Sequence, residues 1–115
     1  MTPIPKLMLS DALQKYEYEN GWTGGRANSF DDSKVSYYPI TSVSVNGNSV
    51  TMKYAWKGGV LNGTVSGTDF VGTWRQENGS GKINLHFNED FNRARGGWAD
   101  SQSGEEGDAF LRRIK

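Results

Sequence analysis

His86 is the chain's one histidine, and it stands in the alternating run Lys82-Ile83-Asn84-Leu85-His86-Phe87-Asn88. On a strand, successive side chains point to opposite faces, so Ile83, Leu85 and Phe87 share one side and Lys82, Asn84, His86 and Asn88 the other. With the apolar side as core, His86 faces solvent. A general base needs a substrate within hydrogen-bond reach and usually an orienting partner. Glu89 and Asp90 follow in a turn and define no dyad with it. The carboxylates Asp31-Asp32, Glu89-Asp90 and Glu105-Glu106 form adjacent pairs in predicted loops. They show neither the cleft-spanning separation of glycosidase chemistry nor the Asp-x-Asp-x-Asp-Gly spacing of a calcium loop. Asn78-Gly79-Ser80-Gly81-Lys82 ends in lysine but lacks the length and following Ser/Thr of a phosphate loop, and reads as a hairpin turn. No residue is assigned a catalytic role.

Arg75, Arg93, Arg95, Arg112 and Arg113 form the other polar group of interest. A stripe of them on one face would meet a carboxylate or phosphate by bidentate contacts. Charges on a solvated outer face, where they protect strand edges, are the commoner case. Tyr54, Trp56, Trp74, Phe87 and Trp98 are the candidate ligand-binding residues. They fall on the strand positions assigned to the interior, where aromatic rings make walls for an apolar or aromatic ligand. Paired with Asn, such rings would also suit a sugar, if they were exposed.

Composition removes several functions. Thirteen Lys+Arg balance thirteen Asp+Glu, which argues against non-specific nucleic-acid or anionic-membrane binding. There is no cysteine, so disulfides and thiolate metal sites are excluded, and one histidine makes a conventional zinc site improbable. No cofactor is expected. The opening MTPIPKLMLS lacks a basic region followed by an apolar stretch, no later run approaches a membrane span, and the chain reads as cytoplasmic. The sequons at Asn62 and Asn78 read as strand and turn chemistry in that setting.

The elements that must position these residues follow from periodicity. The 115 residues suit one domain. Residues 1–9, with Pro3 and Pro5, read as an extended arm. Ser10 and Asp11 head a predicted helix over 10–20, with Ser10 as N-cap and Asn20-Gly21 as its stop. Residues 23–34, TGGRANSFDDSK, read as a long loop. From Val35 onward the period changes to two, with Pro39 marking a bend or edge and Asn46-Gly47 a type I′ hairpin turn. The remainder gives about seven strands at roughly 10–12-residue spacing joined by short turns, which pair antiparallel. The expected fold is therefore all-β: a coiled antiparallel meander over 35–114 closing into a small β-barrel, with one short N-terminal helix.

One unit recurs, apolar-x-Gly-x-apolar, as Leu61-x-Gly63-x-Val65, Phe70-x-Gly72-x-Trp74 and Ala94-x-Gly96-x-Trp98. Each glycine opens a gap on the apolar face. Either a cross-strand aromatic lies over the bare backbone, or the sheet coils tightly enough to close; the expectation is that a neighbouring tryptophan uses the gap. Residues 49–114, through VLNGTVSGTDFVGTWRQENGSGKINLHFNED and GGWAD, resemble the Gly-x-Trp meanders of small calycin-type barrels, the lipocalin and avidin group. That resemblance implies an up-and-down barrel holding one small, largely apolar ligand. It departs from lipocalins in that their Gly-x-Trp lies on the first strand, and an eighth strand would have to come from residues 1–34. FVGTWRQENGSGKI also resembles a single MORN unit, with no repeat continuing from it.

Three functions follow as alternatives. The first is a non-enzymatic module binding a small apolar or aromatic ligand in an aromatic-lined barrel. The second is an interaction module with a filled core, meeting another protein or a second copy of itself. The third is a cofactor-free barrel cyclase, isomerase or lyase. Against the enzyme stands the lack of polar groups at interior positions other than the Tyr54 hydroxyl. Whether the interior is filled or hollow separates the first from the second.

Overall fold

The computed structural model describes residues 8–23 and 35–115. Helix α1 (Leu9–Lys15) precedes β1 (Tyr18–Trp22), β2 (Ser36–Asn46), β3 (Ser49–Tyr54), β4 (Gly59–Ser66), β5 (Asp69–Gln76), β6 (Gly79–Phe87), β7 (Arg93–Asp100) and β8 (Glu106–Arg113). Each strand pairs antiparallel with the next, and β8 pairs back onto β1, so the sheet closes into an up-and-down barrel in chain order. Strand β6 shows the alternation best: Ile83, Leu85 and Phe87 are buried inside, while Lys82, Asn84 and His86 are exposed. Among the described residues no helix is long and apolar enough to cross a membrane.

The barrel has eight strands rather than seven, and the additional one comes from the segment expected to be helical. α1 ends at Lys15, and Tyr16 is already extended at φ −109°, ψ 159°. Asn20-Gly21 is not a helix stop but lies within β1, pairing with Tyr38-Tyr37 of β2 and Leu111-Phe110 of β8. The period-two set Tyr18, Asn20 and Trp22 outweighs a helical signal of barely two turns, because both flanking ladders reward the strand. The N-cap is Met8 rather than Ser10, with no side-chain cap bond. Residues 1–7 of the expected arm and residues 24–34 of the expected loop lie outside the described residues.

Two further expectations shift by small amounts. The β2–β3 hairpin closes at the pair Asn46 and Ser49, so its central residues are Gly47 and Asn48. Only Gly47 carries positive φ, at 62°; glycine at the first central position is the type II′ pattern, not type I′. Pro39 sits at the last pair of the β1–β2 ladder, and the register of β2 against β3 shifts just beyond it, between Ile40 and Ser42. It marks a bend, since a closed barrel has no edge.

One end of the barrel is plugged. Leu9, Ala12 and Leu13 of α1 are buried in the core cluster together with Tyr18, Phe87 and Phe91. Tyr18 and Phe87 meet edge to face at 6.3 Å between centroids. Phe91 reaches inward from the β6–β7 loop at φ 54°, and the Tyr18 hydroxyl donates to its carbonyl at 2.5 Å. Burial pushes the Tyr18 phenol up to about 12, so it remains a donor at physiological pH.

The recurring glycines answer a different need from the one expected. Gly63 and Gly72 face each other across β4 and β5. A Cβ on Gly63 would stand 2.3 Å from the Val71 carbonyl oxygen, and one on Gly72 would stand 2.2 Å from that of Asn62. On Gly96 it would stand 1.8 Å from the Asn84 oxygen, and on Gly81 1.7 Å from that of Ala99. These glycines let neighbouring backbones crowd together on the inner face, which coils the sheet enough to close it. Gly72→Ala is therefore expected to lower stability by more than about 2 kcal/mol. Gly97→Ala, whose Cβ would meet nothing nearer than 3.4 Å, should change it by less than about 1 kcal/mol. Urea denaturation of the two variants checks the contrast.

Candidate functional site

At the end opposite the plug, the inner face carries a cavity of about 160 Å³. It reaches the surface beside Asn78 of the β5–β6 turn and Glu105 of the β7–β8 loop. Its aromatic walls are Trp22, Tyr54, Trp74 and Trp98, with Asn20 on the wall between them and Leu61, Ile83 and Ala109 as apolar lining.

The rings stand in fixed positions. Trp74 and Trp98 meet edge to face at 5.9 Å. The Trp74 Nε1–H donates to the Ala99 carbonyl at 3.0 Å, and the Trp98 Nε1–H to that of Thr23 at 3.0 Å. Thr23 is itself tied to β8, since its Oγ1 accepts from the Asp108 amide at 3.0 Å. Both indole donors are thus satisfied by backbone, leaving ring faces toward the cavity. On the other side Trp22 stacks on Tyr38 at 5.1 Å and lies 5.7 Å from Tyr54. Here glycine does seat aromatic rings: a Cβ on Gly59 would be 2.1 Å from the Tyr54 ring, and one on Gly107 2.5 Å from Trp98 Nε1. Burial also pushes the Tyr54 phenol well above the usual tyrosine range.

Of the residues expected to bind ligand, Tyr54, Trp74 and Trp98 come together at this cavity. Trp56 follows the end of β3 and stacks on Tyr38 at 4.7 Å, beside the cavity rather than on its wall. Phe87 lies at the plugged end, 1 % exposed in the core against Tyr18, and the fold does not bring it to the others. Trp22 and Asn20 also belong to the site; the helix expected over 10–20 covers Asn20 and stops short of Trp22, and the alternation Tyr18-x-Asn20-x-Trp22 is the signal that sets both on one strand face. Asn20 also removes the argument that Tyr54 supplies the one polar interior group. Asn20 is 2 % exposed, and its Oδ1, itself without accessible surface, has no hydrogen-bond partner among the described residues.

The remaining polar candidates stand elsewhere. His86 is on the outer surface at the plugged end, its side chain 71 % exposed, with Nδ1 2.6 Å from Asp69 Oδ1 and 3.5 Å from Thr68 Oγ1. The partner is thus Asp69, directly across the β5–β6 ladder. Both contacts use the same ring nitrogen, an arrangement that orients the ring without building a nucleophile–base pair. The arginines do not form one stripe. Arg93 and Arg112 are paired across β7 and β8, but Arg75 lies on β5 between Val60 and Ser80. Arg112 contacts the Glu19 carboxylate and lies 3.6 Å from the centre of the Tyr37 ring. Asp31-Asp32 lie outside the described residues, and among the described residues no three His, Asp or Glu side chains gather as a metal site.

The mouth has an acidic rim. Asp100 Oδ1 accepts from the Gln102 and Ser103 amides at 2.8 and 3.1 Å, and these bonds hold its carboxyl below the usual 3.8. Among the described residues no lysine or arginine lines the cavity. The class that fold and site define is an eight-stranded up-and-down barrel, plugged at one end and aromatic-walled at the other. No family model, curated protein or solved structure matches this chain.

A lowered native value means that the stability Asp100 gives its turn is complete above the unfolded value near 3.8 and is lost as pH falls through the native one. The Gln102 and Ser103 amide resonances should therefore titrate together below pH 3.8 in the wild type. They should stay flat in Asp100→Asn, which keeps the acceptor but not the proton.

Proposed function

We propose that the chain is a non-enzymatic binding module that takes one small aromatic or apolar ligand at the mouth of the barrel. The observation that carries this reading is the cavity of about 160 Å³ walled by rigid aromatic rings at the end left free by the plug. An apolar protein cavity of about 150 Å³ is large enough to admit benzene, so this one suits a ligand of one ring, or of two where the second reaches the mouth. The Trp74 and Trp98 donors are already satisfied, so little ordering of those two rings opposes binding, which favours affinity from a small contact area. The interaction-module alternative rests on a filled interior, and the cavity argues against that premise. For the enzyme alternative, the described lining offers the Asp100 and Glu105 carboxylates and the Tyr54 hydroxyl but no histidine, lysine or arginine to share a proton-transfer task with them.

Ala109 points into the cavity from β8, opposite Trp22, and is 1 % exposed. Ala109→Phe places a ring in that space. Indole serves as a neutral two-ring probe, followed by saturation-transfer NMR. The wild type should give saturable transfer, and Ala109→Phe should lose at least about nine-tenths of it while unfolding as cooperatively as the wild type. Absence of transfer to the wild type at millimolar indole, or transfer undiminished in the variant, would overturn the reading.

A further inference from the structure

Asp100 closes β7 two positions beyond Trp98, so the two share a strand face, and both line the cavity. Gly81 stands between Asp100 and Trp74 in the ladder: Trp74 pairs with Gly81, and Gly81 with Asp100. The place a Cβ on Gly79 would take lies 3.0 Å from Asp100 Oδ2 and 3.3 Å from Trp74 Cη2. A carboxylate oxygen and the end of an indole ring thus border one small space at the mouth. On β5 the same two-residue step leads from Trp74 to Gln76, which also lines the cavity. The aromatic row is topped by a polar one.

The β7–β8 loop holds this carboxylate in place. The Asp100 amide donates to the Glu105 carbonyl at 2.8 Å, which brings Glu105 to the same side of the mouth. The Gln102 and Ser103 amides both donate to Asp100 Oδ1, and Oδ2 is the oxygen on the Trp74 side. A ring that enters the cavity drives water from this half-buried group. A neutral ligand leaves the charge less solvated than before. A ligand that carries an ammonium replaces the lost water with a charge-assisted hydrogen bond. Aromatic faces attract a cation in the same sense.

We infer that the pocket takes an aromatic amine, with its one or two rings between the aromatic walls and its ammonium, on a short tether, meeting the Asp100 carboxylate at the mouth beside Glu105. This inference rests on the pocket reading above and names the ligand class of that same site.

Calorimetric titration of the wild type with matched probes at neutral pH tests it. Phenethylamine and 2-phenylethanol share ring and tether and differ in ammonium against hydroxyl; tryptamine and tryptophol repeat the comparison with two rings. The amine of each pair should bind about tenfold tighter, the worth of one charge-assisted hydrogen bond at a half-buried carboxylate. Asp100→Asn, which keeps an acceptor for the loop amides, should bring that ratio below about threefold. If no member of either pair binds, the pocket reading fails and the ligand class goes with it. If the alcohols bind as tightly as the amines, the pocket stands and the amine assignment falls. An amine advantage that survives Asp100→Asn undiminished overturns the assignment to this carboxylate; the wild-type pairs remain decisive for the ligand class if that variant fails to fold.

Discussion

Backbone-to-backbone crowding at the inner-face glycines is the constraint on which the barrel depends. Gly63, Gly72, Gly81 and Gly96 lie on consecutive strands from β4 to β7. Each has the carbonyl of an adjacent strand where a Cβ would have to be. A sheet with side chains at those positions would be flatter, and its first and last strands would stand apart. With the glycines in place β8 can return to β1, and every strand gains two hydrogen-bonded neighbours. The usual cost of glycine in a strand is offset by the loss of both sheet edges.

The same constraint divides the interior. At one end the space is filled from outside the sheet: α1 delivers Leu9, Ala12 and Leu13, and the β6–β7 loop delivers Phe91. At the other end the inner face carries rings and glycines together, with Trp98 against Gly107 and Trp74 against Gly81. The rings there are tied to backbone through their N–H groups and cannot collapse inward to fill the remaining volume. The plugged end is filled by these side chains, and the recess lies at the opposite mouth between the aromatic walls. His86 and the outer arginines sit outside this division, on a surface where ion pairs add little.

The fold was largely legible in the sequence because strands β3 to β6 alternate with a two-residue period and most of the turns between strands carry glycine. Antiparallel pairing then follows from loop length alone. What was not legible was β1. Ser10 to Gln14 looks like a helix start, and the strand that follows is only five residues long, with Asn and Gly in place of β-branched residues. Its strand character comes from closure, which brings β2 and β8 to either side of it, and closure is a property of the whole sheet. The site inherits that gap. Tyr54, Trp74 and Trp98 could be placed on one face from spacing, whereas Trp22 and the buried amide of Asn20 join that face only once 18–22 is read as a strand. Phe87 shared the face yet not the end, since periodicity fixes which side a residue takes but not how far along the barrel it lies.

The account's central claim is that the aromatic end is a receptive cavity while the plugged end is core. A ¹⁵N–¹H correlation spectrum recorded through an indole titration tests it directly, since the tryptophan indole N–H signals report from the mouth and the backbone amides report from both ends. The account predicts saturable shifts of the Trp22, Trp74 and Trp98 indole signals with one dissociation constant, while the amides of Leu13, Phe87 and Phe91 hold still. Indole signals that stay fixed at saturating ligand, or shifts spread evenly over both ends, would contradict it.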